Sequence, residues 1–363
     1  MRGFKRILLV GTTVAIAGSI VTLQASAGSD THVVDPGESI QAAVNAASHG
    51  DTIVVKAGRY RESVSIHTDG ITLRAAGKVT LEPPYYGSSE CYLPGHDVGI
   101  CVAPVDFDPA TGSYTTRVHD VTITGFRVVG FQGEGIFGFG TKNLKVSDVV
   151  AIDNTAYGIA SFDGIDTIFT RNAVTGSHDA GIYIGDSLNA RAVVSNNRAW
   201  NNALGILLRH SQKAIVSDND VRGNCLGVFL LADGQAGGSG QTAVLNNTVV
   251  ANNEVCTQFA DAQFLPVLGG GGIVLAGSQR NVIVQNVVKN NRGDTLFSGG
   301  IVLIATPRPN TNGSFDASTN NLVLLNKLGG NKPADVVADE FSTPNVIVAN
   351  RCRTSMPDGL CRS

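Results

Sequence analysis

Helix-building residues are what this chain lacks. Glu and Lys are scarce, methionine occurs twice in 363 residues, aromatic side chains make up 6% and charged ones 16%. Long helices draw on those residues, so a helix-built architecture is disfavoured. Six cysteines are present, but no C-x-x-C occurs and no histidine cluster stands near them, which argues against a structural zinc site. Cues for a serine-protease-like triad, a phosphate-cradling loop and a dinucleotide fingerprint are also missing. The formal charge is −3 and moves to about −6 without Arg2, Lys5 and Arg6, a balance that suits neither nucleic acid nor anionic lipid. What remains is glycine (43 residues) and an apolar share of 43%, too high for a disordered chain.

Arg2, Lys5 and Arg6 precede an apolar run from Ile7 to Leu23, followed by Ala25-Ser26-Ala27. This is the pattern of a secretory signal peptide, so residues 1–27 are expected to be removed, leaving one domain over 28–363. The alternative is a retained membrane anchor. In an oxidising compartment the even cysteine count suggests disulfides, and the six fall into local pairs: Cys91 with Cys101, Cys225 with Cys256, Cys352 with Cys361. Six cysteines allow fifteen pairings, and sequence alone does not choose among them.

From Asn172 onward one short pattern repeats: apolar residues, an Asn, a small polar stretch, then a glycine and a second apolar run. Asn172, Asn197 and Asn219 lie 25 and 22 residues apart, Asn247, Asn286, Asn326 and Asn350 begin further copies, and Gly158, Gly181, Gly205 and Gly227 form a parallel column. A period in the low twenties built from β-branched segments and Gly/Asn corners is that of a solenoid. A propeller would need blades of about 40–50 residues. Because no helical stretch separates the strands, the expected fold is all-β: a single-stranded right-handed parallel β-helix. Ile40, Ala43, Val44 and Ala47 give Glu38–Ala47 one apolar helical face, suited to capping the open N-terminal end. Residues 82–118 break the repeat with five prolines and with Tyr85, Tyr86 and Tyr92, and are expected to form a disulfide-stapled insertion. Shorter interruptions fall near 256–272 and 307–320.

The Asn and Gly columns are expected to be scaffold, supplying left-handed corners and stacked amides. The chemistry is sought in departures from the pattern. Asp163, Asp186 and His210 each stand five places after a corner glycine, so stacking brings them into line; Arg209 precedes His210, Asp233 lies one place beyond the column, and His178-Asp179 precedes Gly181. Asp163 and Asp186 suit an acid/base pair, with Arg209 and His210 neutralising a sugar acid or moving a proton. Tyr183, Phe162 and Phe229 either stack on sugar rings or fill space beneath the insertions. No cofactor is implied, although Asp163, Asp186 and His210 include calcium-compatible ligand types.

The opening PGESIQAAVNAASHGDTIVVKAGRYRESVSI resembles the start of pectin-lyase-like β-helix proteins. The segments RNAVTGSHDAGIYIGDS, NNRAWNNALGILLRHS and DNDVRGNCLGVFLLAD, with NRCRTSMPDGLC, are similar to secreted actinobacterial β-helix repeat proteins. The resemblance implies the same fold, secretion, three local disulfides and relatedness to polysaccharide lyases, hydrolases and epimerases. The clustered Asp calcium site and catalytic Arg of pectate lyases, and the paired Asp motif of polygalacturonases, are not found. The expected partner is an extracellular polysaccharide, engaged by a secreted monomer either as an enzyme or as a non-catalytic binding or surface protein.

Overall fold

The computed structural model describes residues 29–85, 97–108, 111–234, 238–261, 266–309 and 313–361. The segment read as a signal peptide lies outside them. No helix among the described residues is long and apolar enough to cross a membrane.

The chain winds through parallel ladders with no helix between strands. On one flank Ile168–Thr170, Val193–Ser195, Ile215–Ser217 and Ala243–Leu245 stack in order; a corner later Ala173–Thr175, Arg198–Trp200, Asp220–Arg222 and Thr248–Val250 do the same. Both belong to a nineteen-stranded sheet, joined at the N-terminal end by long strands Thr52–Arg61, Thr72–Glu82 and Thr122–Val129. The third flank is a separate eleven-stranded sheet that includes Ile159–Phe162, Ala180–Ser187, Leu204–Ser211 and Leu226–Leu231. At the usual strand spacing eleven rungs extend roughly 48 Å. This is the expected parallel β-helix.

Burial follows the sequence pattern of each flank. Val193–Ser195 and Ile215–Ser217 bury only their central residue, Val194 and Val216, in the solenoid core. Leu226–Leu231 is apolar throughout and buried on both sides, as expected for a parallel strand covered on two faces. The outer side of that sheet carries a second cluster, in which Leu207, Phe229, Val274 and Val302 pack with Cys225, Cys256, Leu268 and Phe297. The Cys225–Cys256 and Cys352–Cys361 bridges are present. Cys101 is disulfide-bonded, but its expected partner Cys91 lies outside the described residues.

The cap is Ile40–Ala46, which buries Ile40 and Val44. Ser39 Oγ accepts from Ala42 N, and the Glu62 carboxylate accepts from the Ile40 and Gln41 amides. An acceptor and an anion thus meet the exposed N–H groups of the first turn.

The Asn column is a continuous hydrogen-bonded ladder. Asn172, Asn197, Asn219, Asn247, Asn286 and Asn326 each donate backbone N–H and Nδ2 to Oδ1 of the next, at 2.9–3.0 Å. The left-handed geometry expected of these Asn residues belongs instead to the residues before them, including Arg171, Asn196, Asp218 and Asn246 (φ 56–57°). A second ladder five residues on, Asn202–Asn224–Asn252–Asn291–Asn331, ends on Asp335 Oδ1. The glycine column also has a different cause from the expected positive φ. Gly158, Gly181, Gly205 and Gly227 are absent from the left-handed set. A Cβ on Gly205 would lie 2.6 Å from Gly227 O, and one on Gly181 2.7 Å from Asn202 Nδ2. Close stacking of coils against the Asn ladder, not backbone handedness, demands glycine there.

Candidate functional site

Strand register brings the departures from the repeat together. Gly185 pairs with Arg209 and Arg209 with Leu231, while Ser187 pairs with Ser211, so Asp186 and His210 occupy the same corner of adjacent coils. Phe162 pairs with Gly185, which places Asp163 one rung earlier. Asp163, Asp186 and His210 all have positive φ (46°, 55° and 46°). Asp and His are among the non-glycine residues that tolerate this region, and it turns the backbone at the same point of each coil.

A hydrogen-bonded chain links the coils. Tyr183 Oη donates to Asp186 Oδ2 at 3.3 Å, and Asp186 Oδ1 meets His210 Nδ1 at 3.0 Å. His210 Nε2 contacts Asp233 Oδ1, and Asp233 accepts Arg209 Nε and Nη2 at 3.0 and 2.8 Å. Arg209 and Asp179 both lie within electrostatic range of the Tyr183 hydroxyl and of each other. His210 and Asp233 are sealed (2% and 4% exposed), whereas Asp186 and Arg209 reach solvent (34% and 26%). The buried pair therefore holds two charged groups at the surface.

Burial opposes the charged form of His210, but the Asp186 and Asp233 carboxylates outweigh it and raise its pKa. Burial also works against Asp233, yet its bonds to His210 and Arg209 hold it down at about 2. The Arg209 guanidinium remains charged for the reciprocal reason.

Asp163 is diverted from this chain. Arg117 Nη2 reaches its carboxylate oxygens at 3.1 and 3.2 Å, and Tyr114 Oη donates to Oδ2. Both partners come from the last residues of the 82–118 segment, so Asp163 anchors that segment to the coil. With Asp163 paired to Arg117 and Asp186 to His210, these residues do not fit a calcium site. No group of three or more His, Cys, Asp or Glu side chains suited to a metal occurs among the described residues.

A second acidic group lies one corner earlier. Glu134 is buried and its Oε2 has no hydrogen-bond partner. Desolvation raises its pKa to about 7, reinforced by Asp179. Desolvation likewise raises Asp179 to about 6, although its bond to Tyr157 pulls the other way. Glu134, Tyr157, Tyr114 and Arg117 escaped the sequence reading. Glu134 and Tyr157 directly precede Gly135 and Gly158, and that shared offset was the available signal.

Of the rings expected to stack on sugars or fill space, Tyr183 and Phe229 are buried and Phe162 is partly buried. Tyr183, fully enclosed, packs between Tyr157 at 4.7 Å and Phe162 at 4.5 Å, and Phe162 continues to Phe137 at 5.4 Å. Phe229 packs against Phe297. These rings fill space beneath the insertions, so Tyr183 offers the site its hydroxyl and not a ring face. His178 is exposed and lines a cavity of about 400 Å³ with Asn201, Glu254 and Gln258.

The family model described as "Right handed beta helix region" matches residues 134–321. The chain belongs to the right-handed β-helix family. No curated protein matches it. Among solved structures, this β-helix protein is similar to the A-module of Azotobacter vinelandii mannuronan C-5 epimerase AlgE6. The TM-score is 0.64 at 20% identity, covering 86% of this chain and 88% of that one. The AlgE4 A-module of the same organism gives 0.60 at 18% identity, over 86% and 89% of the two chains. An alginate lyase from Paenibacillus sp. str. FPU-7 gives 0.58 at 16% identity, over 86% and 98%. At these identities the likeness to the mannuronan C-5 epimerases and the alginate lyase is one of fold.

Proposed function

We propose that this β-helix protein acts on a uronate-containing extracellular polysaccharide by removing the proton beside the sugar carboxylate, as a lyase or C5 epimerase. The observation that carries this reading is the chain Tyr183–Asp186–His210–Asp233–Arg209, with only Asp186 and Arg209 at the surface. Arg209, fixed by Asp233, faces the substrate carboxylate and stabilises the charge that develops when C5 loses its proton. Asp186 takes that proton, its own charge balanced by His210.

In elimination the C5–H electrons form the C4–C5 double bond and the C4–O bond breaks. Asp179, held protonated into the mildly acidic range by burial, protonates the departing oxygen. In epimerisation Asp186 keeps the proton taken from one face, and Asp179, which exchanges with solvent, delivers another to the opposite face of C5. The similar epimerases and lyases support proton abstraction over hydrolysis, and so does the engagement of Asp163 by Arg117, which leaves the Asp163/Asp186 pair without a free acid. The signal-peptide pattern of residues 1–27, the disulfides and the acidic charge agree with work outside the cell.

One observation favours a second reading, non-catalytic glycan binding: Arg209, His210 and Asp233 already satisfy one another. Incubation with polymannuronate, polygalacturonate and neutral xylan in D2O separates the two. Unsaturated product or deuterium at C5, abolished by Asp186→Asn, is expected; retention on polyuronate without either would establish the binding module.

A further inference from the structure

A second concave surface lies on the nineteen-stranded sheet, away from the site on the eleven-stranded one. Arg59, Lys78, Thr80, Glu82, Arg127 and Val129 line a cavity of about 530 Å³ there. Arg59 pairs in register with Thr80, and Thr80 with Arg127, so the two guanidinium groups stand two rungs apart in one outward column. That separation is roughly 9–10 Å at the usual strand spacing. Glu82 is the single acid of the lining, and it is shared by Arg59 and Arg61. Neither Lys78 nor Arg127 has an ion-pair partner among the described residues. The cavity therefore carries a surplus of positive charge on a protein whose formal charge is −3. At its edge Arg61 stacks on the Tyr85 ring at 4.6 Å, and that ring is 75% exposed.

Cations spaced along a rigid sheet, with an exposed ring beside them, match a linear polymer bearing a carboxylate on each sugar. We propose that this groove is an ancillary site that holds a segment of carboxylated polysaccharide. It goes beyond the reaction assigned to Asp186 and Arg209 and requires no turnover there. The guanidinium groups and Lys78 meet carboxylates of the chain, and Tyr85 offers an apolar face to a sugar ring. Such a contact is electrostatic and exposed, so it weakens as salt screens it.

The test is affinity electrophoresis of the full chain through gels containing polygalacturonate, with dextran and dextran sulfate gels as controls. The wild type is expected to be retarded by polygalacturonate, and less at 200 mM than at 20 mM NaCl, about the range over which the Debye length falls below 10 Å. The Lys78→Ala/Arg127→Ala variant is expected to bind at least about tenfold more weakly, the loss of roughly 1.4 kcal/mol, with an unchanged melting temperature. Arg127→Lys should retain most of the effect. Unchanged retardation of the double variant would overturn the groove, and retardation by dextran sulfate without polygalacturonate would overturn the carboxylate assignment. Because retardation is read without turnover, failure of the proposed reaction would leave this result standing, and the reverse.

Discussion

Replacing Asn197 with Ala removes one rung of the amide ladder. Its Oδ1 accepts from Asn172 N and Nδ2 at 2.9 and 3.0 Å, and its Nδ2 donates to Phe169 O and Asn219 Oδ1 at 2.9 and 3.0 Å. Two of these partners keep a second bond: Asn172 Nδ2 still reaches Val146 O, and Asn219 Oδ1 still accepts Asn197 N. The Asn172 amide loses its acceptor. A buried N–H left unpaired costs about 1–3 kcal/mol and each net hydrogen bond contributes about 0.5–1.5 kcal/mol, which places the total near 2–5 kcal/mol. In a chain of this size that corresponds to a fall in melting temperature of roughly 3–7 °C. Thermal denaturation followed by circular dichroism is the assay, with the half-buried outward residue Thr248 changed to Ala as control, expected within about 0.5 kcal/mol of wild type. A shift for Asn197→Ala no larger than the control's would refute the ladder as a source of stability.

Three further outcomes are expected. Glu134 ionises in the unfolded chain near 4.5 but in the folded protein only near 7; stability therefore declines as pH rises through that window. Glu134→Gln should raise the urea midpoint at pH 8 by the equivalent of up to about 3 kcal/mol, taking about 1.4 kcal/mol per unit, and change it little at pH 5; an equal effect at both pH values would contradict the desolvation argument. His210 has its folded pKa raised, so its contribution is complete below the unfolded value near 6.5 and is lost as pH rises through the folded one; NMR titration should place the ring above 6.5, and a value at or below that would remove the charged network. Cys225→Ser/Cys256→Ser should cost about 2–4 kcal/mol by denaturant titration, and non-reducing peptide mapping should recover Cys225–Cys256 and Cys352–Cys361 as cross-links.

The fold was legible because a solenoid writes its geometry into every coil: Asn172, Asn197 and Asn219 recur where stacked amides must meet. The second ladder, from Asn202 to Asn331, is also written in the sequence, as Asn-x4-Asn at 197/202, 219/224 and 247/252. The glycine positions are legible but their cause is not, since sequence shows an absent Cβ and not the carbonyl that would strike it. Asp186, Arg209, His210 and Asp233 could be aligned on paper because they lie on neighbouring coils at nearly equal offsets. Asp163 shared that offset, yet its partners Tyr114 and Arg117 lie nearly fifty residues earlier, and no periodicity reports such a contact. The burial of Tyr183 was equally hidden, because it depends on elements folded over the outer face of its sheet.

The central claim is that Asp186 takes a proton from C5 of a polyuronate bound at this corner. Its most direct measurement is deuterium incorporation at C5, read by NMR together with unsaturated-product absorbance, after incubating polymannuronate and polygalacturonate in D2O with the wild type and with Asp186→Asn. The account predicts deuterium or unsaturation with the wild type on at least one polymer, and neither with the variant while it remains folded. Undiminished exchange or elimination by folded Asp186→Asn, or none by the wild type on either polymer, would contradict it.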